Sequence, residues 1–262
     1  MPAIQSLIWT GDLAGFVIGS VASDRFVTWS GGSGDLTLWR VGSPPTALDS
    51  ATLAVTPSAF VGRRENDSGL AGFIYADAAG VNPRRLVSCV DSGGALTIVD
   101  TLLGSGSWSL LGAAGDGSGF MVANTTTRYF ITTAGSTSWS HATADTFVGC
   151  PRANRYVTQA STTVSLRDSS GSVLDTDTAP GAFSGLFVSW VLSGPDRMTY
   201  LSYDDTTGLI TYRTLDTAGD VLSWVAATAT FDPGYGTGDA TVYPRYASWD
   251  GQIAIAKGYA AP

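Results

Sequence analysis

The sequence predicts an all-β fold built from tandem four-stranded repeats, a six-bladed β-propeller closed by its own N-terminal strand. Three observations carry this expectation. Two strong helix formers are nearly absent, with Glu65 the sole glutamate and Lys257 the sole lysine, while 32 glycines and many Thr, Ser, Val, Tyr and Trp residues favour strands joined by tight turns. A strand-turn-strand unit led by arginine recurs along the chain. The last unit lacks residues for a fourth strand, and the opening residues supply one that fits.

Taken in order, residues 4–11 hold Gln5-Ser6-Leu7-Ile8-Trp9-Thr10, the strand expected to complete the last blade. Blade one is expected over residues 14–56, with Asp24-Arg25-Phe26-Val27-Thr28-Trp29 and Asp35-Leu36-Thr37-Leu38-Trp39 flanking a Gly-rich turn. Blade two, over 57–110, carries Arg84-Arg85-Leu86-Val87-Ser88-Cys89 and Ala95-Leu96-Thr97-Ile98-Val99-Asp100, and ends on a Trp-bearing outer strand at Trp108. Blade three, over 111–143, is a degenerate copy without the leading arginine. It runs through Gly119-Phe120-Met121-Val122 and Thr127-Arg128-Tyr129-Phe130 to an outer strand with Trp139 and His141. Blade four, over 146–180, has Asn154-Arg155-Tyr156-Val157-Thr158-Gln159 and Thr163-Val164-Ser165-Leu166-Arg167-Asp168. Blade five, over 185–231, has Asp196-Arg197-Met198-Thr199-Tyr200-Leu201 and Leu209-Ile210-Thr211-Tyr212-Arg213. Blades four and five share Asp-x-x-Gly-x-Val-Leu, at Asp168 to Leu174 and Asp216 to Leu222. Blade six, over 240–259 plus 4–11, opens on Arg245-Tyr246-Ala247-Ser248-Trp249 and Gln252-Ile253-Ala254-Ile255-Ala256. Six units average about 44 residues, the length of a four-stranded blade. A two-sheet sandwich or jelly roll is the alternative, and it requires no such periodicity.

In blade four, Tyr156-Val157-Thr158-Gln159 through Val164-Ser165-Leu166-Arg167-Asp168 resembles the YVTN-type propeller repeat, with Gln159 in place of asparagine and Leu166-Arg167 in place of Val-Ile. The other copies match loosely. The resemblance implies a propeller of the kind found in lactonase-like enzymes and surface-layer proteins, often seven-bladed, against the six units counted in this chain.

Composition narrows the function. A net charge of −8 disfavours nucleic acid and anionic membranes, which need a basic footprint. There is no apolar run of membrane-spanning length, and residues 1–8 lack the pattern of a secretory signal, so the expected setting outside a virion is cytoplasmic. Cys89 and Cys150 are the only cysteines and read as small buried side chains; they would pair only if the fold brought them together. His141 is the sole histidine, too few for a zinc, copper or non-haem iron site, and no Gly-x-Ser-x-Gly elbow presents a nucleophile. Neither a catalytic residue nor a metal or cofactor is therefore assigned. The Asp175-Thr176-Asp177 and Asp204-Asp205 clusters lack a full calcium loop and read as turn caps. Arg25, Arg85, Arg155, Arg197 and Arg245 are expected to begin strands at equivalent positions and to repeat one blade-to-blade contact.

Two stretches break the repeat and are the expected binding loops: one with Arg63, Arg64, Glu65 and Asp67, the other with Tyr235, Asp239 and Tyr243. The resulting expectation is a non-catalytic binding or assembly propeller. Its best setting is a phage virion, as a tail, fibre or head-decoration protein whose partners are other virion proteins or a host-surface glycan or protein. A glycosidase-like propeller, needing only paired carboxylates, and a bacterial scaffold or sensor propeller are the alternatives.

Overall fold

Strand propensity and turn chemistry agree along most of the chain, and the computed structural model is correspondingly almost all β. It describes residues 16–22, 24–30, 33–42, 44–54, 57–66, 70–77, 84–179, 187–194, 196–204, 209–225, 229–231, 243–245 and 256–258. The expected closing strand 4–11 lies outside them, as do Asp67, Asp205, Tyr235 and Asp239. Two compact units divide the chain: Met1–Ala113 with Gly119–Ser138, and Ala114–Ser118 with Trp139–Pro262.

In the first unit, β1 (Phe16–Ala22), β2 (Arg25–Ser30), β3 (Asp35–Arg40) and β4 (Thr46–Thr52) form a meander of sequential antiparallel strands. A second four-stranded sheet follows, from β5 (Pro57–Asn66), β6 (Leu70–Asp77), β7 (Arg84–Ser92) and β8 (Ala95–Gly104). A third takes β9 (Trp108–Ala113), β10 (Gly119–Asn124), β11 (Thr127–Thr132) and β12 (Thr137–Ala142), again in sequential order. The division between the units falls within β12.

In the second unit, β13 (Thr146–Arg152), β14 (Arg155–Ala160), β15 (Thr163–Asp168) and β16 (Val173–Thr178) form the fourth sheet. The fifth has β17 (Phe187–Gly194), β18 (Arg197–Asp204), β19 (Leu209–Asp216) and β20 (Ser223–Trp224), with β21 (Ala229–Phe231) also pairing β19. Between β19 and β20 the shared Asp-x-x-Gly-x-Val-Leu motif closes into one 3₁₀ turn, Ala218–Asp220. A final pair, β22 (Tyr243–Arg245) and β23 (Ala256–Gly258), is antiparallel.

Position in the sheet sets the burial pattern. Strand β10 is buried along five consecutive residues, and β7 over Leu86–Cys89, because both faces of such inner strands are covered. The outer strands β12 and β16 alternate exposed and half-buried residues, as strands covered on one face do. One core packs sheets one and two, with Val27, Leu36 and Leu38 against Phe73, Val87 and Cys89, and Trp29 stacked on Phe73 at 5.9 Å between ring centroids. A second joins sheets two and three through Leu70, Ile74 and Leu86 against Phe120, Val122 and Ile131. In the second unit Val157, Val164 and Leu166 of sheet four pack with Met198, Leu215 and Leu222 of sheet five.

The β7–β8 turn holds consecutive positive φ angles at Gly93 (68°) and Gly94 (102°), the pairing a tight hairpin requires. Asp91 Oδ1 accepts the Gly94 amide at 2.8 Å and caps that turn.

Three expectations are corrected. Trp108 does not sit on an outer strand closing sheet two; it begins β9, the edge strand opening sheet three, and is buried. The physical reason is that its strand pairs with β10 (Asn124 opposite Trp108), so the indole enters the second core. Arg63, Arg64 and Glu65 are not an inserted loop: they lie in β5, opposite Phe73, Gly72 and Ala71 of β6. The ladder is made by backbone groups, which pair whatever the side chains. Arg84–Ser92 is the third strand of its sheet, whereas Arg25, Arg155 and Arg197 each begin a second strand, so Arg85 is not at an equivalent position.

Candidate functional site

The recurring arginines pair with aspartates in two different ways. Arg25 reaches from sheet one to Asp91 of sheet two, Nη1 to Oδ1 at 3.3 Å and Nε to Oδ2 at 3.1 Å. Arg155 reaches from sheet four to Asp220, beside sheet five, in a two-pronged pair with both N···O distances 2.6 Å. Arg85 and Arg197 stay within their own sheets, on Asp100 at 2.8 Å and Asp216 at 3.4 Å. Tyr75 also donates to Asp100, at 2.8 Å. Arg245 ends β22, opposite Ala256, and Tyr243 begins it, opposite Gly258.

Burial decides the worth of the two sheet-to-sheet pairs. Asp91 is 1% exposed, whereas Asp220 is 44% exposed. Arg25→Met takes the cation from the buried Asp91 carboxylate, leaving it the Gly94 amide, and is expected to cost about 1.5–3 kcal/mol. Arg155→Met breaks an exposed pair and is expected to cost less than about 1 kcal/mol. Urea unfolding of the two variants checks the order; equal losses would contradict it.

A second set of sheet-to-sheet bonds has no charged donor. Asp49 on β4 accepts the backbone N–H of Leu96 on β8 at 2.8 Å, and Asp175 on β16 accepts that of Leu222 at 2.8 Å. Each also accepts the amide of the following residue, Ser50 or Thr176. The Asp175 oxygens are thus directed at backbone amides, which corrects the turn-cap reading of this residue: it bonds to the next sheet. Asp177 accepts the Thr178 amide at 2.6 Å.

The polar groups of sheet four gather around its second strand. Tyr156, fully buried, shares a hydrogen bond with His141 Nε2 from β12 and stacks on Trp139 with centroids 5.4 Å apart. Trp139 donates its indole N–H to the Ala153 carbonyl at 2.7 Å. Arg167 donates to Thr158 Oγ1 at 3.1 Å, to the Gly171 carbonyl at 2.9 Å and to Asp145 at 2.6 Å. Gly171, at φ 86°, lies against the imidazole, where a Cβ would come within 2.6 Å of the ring. His141 is therefore seated against a buried phenol and a glycine turn that fits only without a side chain. Among the described residues no three His, Cys, Asp or Glu side chains gather as metal ligands do. This assembly can hold an imidazole in one orientation and fasten a turn. Arg63, Arg64 and Glu65 lie on β5 and Tyr243 on β22, whereas this assembly is built on β12, β14 and β15 and the segments beside them.

Sequence reasoning assigned no role to Asp49, Asp91, Asp145 and Asp220, and read Asp175 as a turn cap. A signal existed for two of them: Leu48-Asp49-Ser50 and Leu174-Asp175-Thr176 are the same motif on the outer strands of sheets one and four.

Several carboxyls titrate below their ordinary range. The Leu96 and Ser50 amides hold Asp49 down, the Arg155 guanidinium holds Asp220 down, the Ser33 and Thr52 hydroxyls lower Asp35, and the Ser170 hydroxyl with nearby amides lowers Asp168. A carboxyl whose folded pKa is depressed stabilises the protein above its unfolded pKa, about 3.9, and loses that contribution as pH falls through the folded value. The thermal midpoint is expected to fall on acidification below about pH 4. Asp49→Asn should make that fall shallower, as read by circular dichroism at constant ionic strength.

Cys89 and Cys150 are both free and fully buried. Burial raises the Cys89 thiol to about 12 and lifts Cys150 well above the usual range, with Asp116 adding to the latter. Neither thiol should react with an aromatic disulfide reagent in the native protein, and both should react in denaturant.

Comparison with protein-family models and with curated proteins finds no match. Among solved structures, hydrazine synthase of Kuenenia stuttgartiensis is similar with a TM-score of 0.50 at 13% identity, over 96% of this chain and 77% of that one. A putative TolB from Agrobacterium tumefaciens matches with a TM-score of 0.48 at 15% identity, over 97% and 93%, and Kluyveromyces lactis Hsv2 with 0.48 at 10%, over 83% and 74%. Likeness at such identity bears on architecture alone. The successive four-stranded antiparallel sheets, together with the hydrazine synthase match, make this chain a β-propeller.

Proposed function

We propose that the protein is a non-catalytic, six-bladed propeller that binds or assembles, with residues 4–11 completing the last blade beside residues 253–257. One observation carries the reading: Arg25, Asp49, Arg155 and Asp175 each fasten one sheet to the next, as a display scaffold requires. The likeness of the Tyr156–Asp168 hairpin to YVTN-type repeats supports the same architecture. We place the protein in a phage virion, as a tail, fibre or head-decoration component whose partners are virion proteins or a host-surface glycan or protein. The support is its Gly-, Thr- and Ser-rich composition, nearly free of Lys and Glu. Morphogenetic genes beside its own, and its detection by mass spectrometry in purified particles, are the expected results. Metabolic neighbours would remove the virion assignment, and turnover on a glycan panel would replace the binding role with a glycosidase. A cysteine pair placed at Leu7 and Ile255 tests closure: rapid disulfide formation in the folded chain is expected, leaving Cys89 and Cys150 as two free thiols in denaturant, and four free thiols would refute it.

A further inference from the structure

Two kinds of sheet-to-sheet bond recur in the two units, while a further one in the second, Arg152 Nη2 to Asp196 Oδ2 at 2.5 Å, does not: Ala22 stands 130 positions before Arg152. From Arg25 to Asp91 is 66 residues and from Arg155 to Asp220 is 65. From Asp49 to Leu96 is 47 residues, and from Asp175 to Leu222 is also 47. In each case the arginine begins the second strand of one sheet, and its aspartate lies at the turn joining the third and fourth strands of the next. The second aspartate lies on an outer strand, and the amide it holds stands just after that same turn.

The likeness extends inside the sheets. The residue just after each outer strand bonds back to the turn between the second and third strands: Leu53 N–H on Gly34 O at 3.0 Å, and Ala179 N–H on Thr162 O at 2.8 Å. At the centre of the second strand, Thr28 accepts from Trp39 and Thr158 from Arg167, each donor lying opposite the residue two before the threonine (Phe26, Tyr156). Corresponding residues stand 126 to 130 positions apart, close to half of the 262-residue chain. Repetition of single blades gives every neighbouring pair of sheets the same bonds. Among the described residues this set occurs between sheets one and two and between sheets four and five, which is the recurrence of a three-sheet unit.

We infer that the chain is a tandem duplication of a three-sheet unit, and that both copies retain one two-point interlock: an arginine–aspartate pair at one end of the sheet junction and an aspartate–amide bond at the outer strand. Two fixed points set both the tilt and the offset of one sheet against the next, which apolar packing alone leaves free to slide. Only the third sheet of the second copy rests on the six-bladed reading; the interlock does not.

Native-state hydrogen exchange on the full chain tests the inference. Asp175→Asn is expected to speed exchange of the Leu222 amide at least tenfold while Leu96 keeps its protection, and Asp49→Asn to do the reverse. Exchanging residues 47–53 with residues 173–179 should leave both amides protected, because the two segments do the same work. A control graft shifted by one residue should lose protection at both. Unchanged exchange in the Asp→Asn variants would overturn the interlock. If the in-register swap lost as much protection as the shifted graft, the equivalence of the two copies would fall. Should the shifted graft not fold, the two Asp→Asn variants and the in-register swap still decide. Failure of the cysteine pair at the chain ends would count against ring closure and leave these outcomes unaffected.

Discussion

Phe120→Ala is expected to lower stability by about 3–5 kcal/mol, the range for deleting a fully buried aromatic ring. Phe120 is 0% exposed and packs with Leu70, Ile74, Leu86 and Ile131. Its ring also lies directly over Gly72 of β6: a Cβ on that glycine would stand 2.4 Å from the ring tip and 2.8 Å from the Val87 carbonyl. Gly72→Ala alone therefore overpacks the junction of sheets two and three and is expected to cost about 1–3 kcal/mol. The two changes are coupled, because a smaller residue at 120 vacates the space the new methyl needs. Gly72→Ala combined with Phe120→Leu should lose less than the sum of the single losses. Chemical denaturation of the four proteins of that cycle is the measurement. Simple additivity would show that the ring does not bear on the glycine.

Gly119→Ala is expected to be at least as damaging as an alanine at any other described glycine, at about 3 kcal/mol or more. Gly119 opens β10 opposite Thr132 and is buried. A Cβ there would lie 2.1 Å from the Ile131 carbonyl oxygen and 2.9 Å from the Thr132 Cα. Backbone atoms of a paired strand cannot swing aside as a side-chain tip can, so β10 and β11 must separate locally. Loss of protection at the β10–β11 amides, with sheet one unaffected, is the expected exchange signature. A variant as stable as the parent would show that the strand shifts at little cost.

The strands themselves were legible because their determinants are local. Alternation along Val173–Thr178, continuous apolar character along Gly119–Asn124 and Gly-rich turns at residues 93–94 are each written within a few residues. The outer-strand role given to Trp108 failed for the same reason: Ser107-Trp108-Ser109 and Ser138-Trp139-Ser140 look alike locally, and only the pairing partner separates an opening strand from a closing one. The charge of Arg63, Arg64 and Glu65 suggested a loop, yet backbone pairing with β6 claimed the segment. The candidate site was less legible than the fold, because His141, Tyr156 and Gly171 converge from three separate stretches of chain.

By itself, then, the sequence settled the β class, the position of most hairpins and the absence of long helices from its plan. The tertiary structure decided which carboxylate each arginine meets and which aspartates hold another sheet's amide. The physical reason is range: propensity and turn geometry act between neighbours in sequence. A bond across 47 to 66 residues exists only once stacked sheets bring its ends within 3.5 Å.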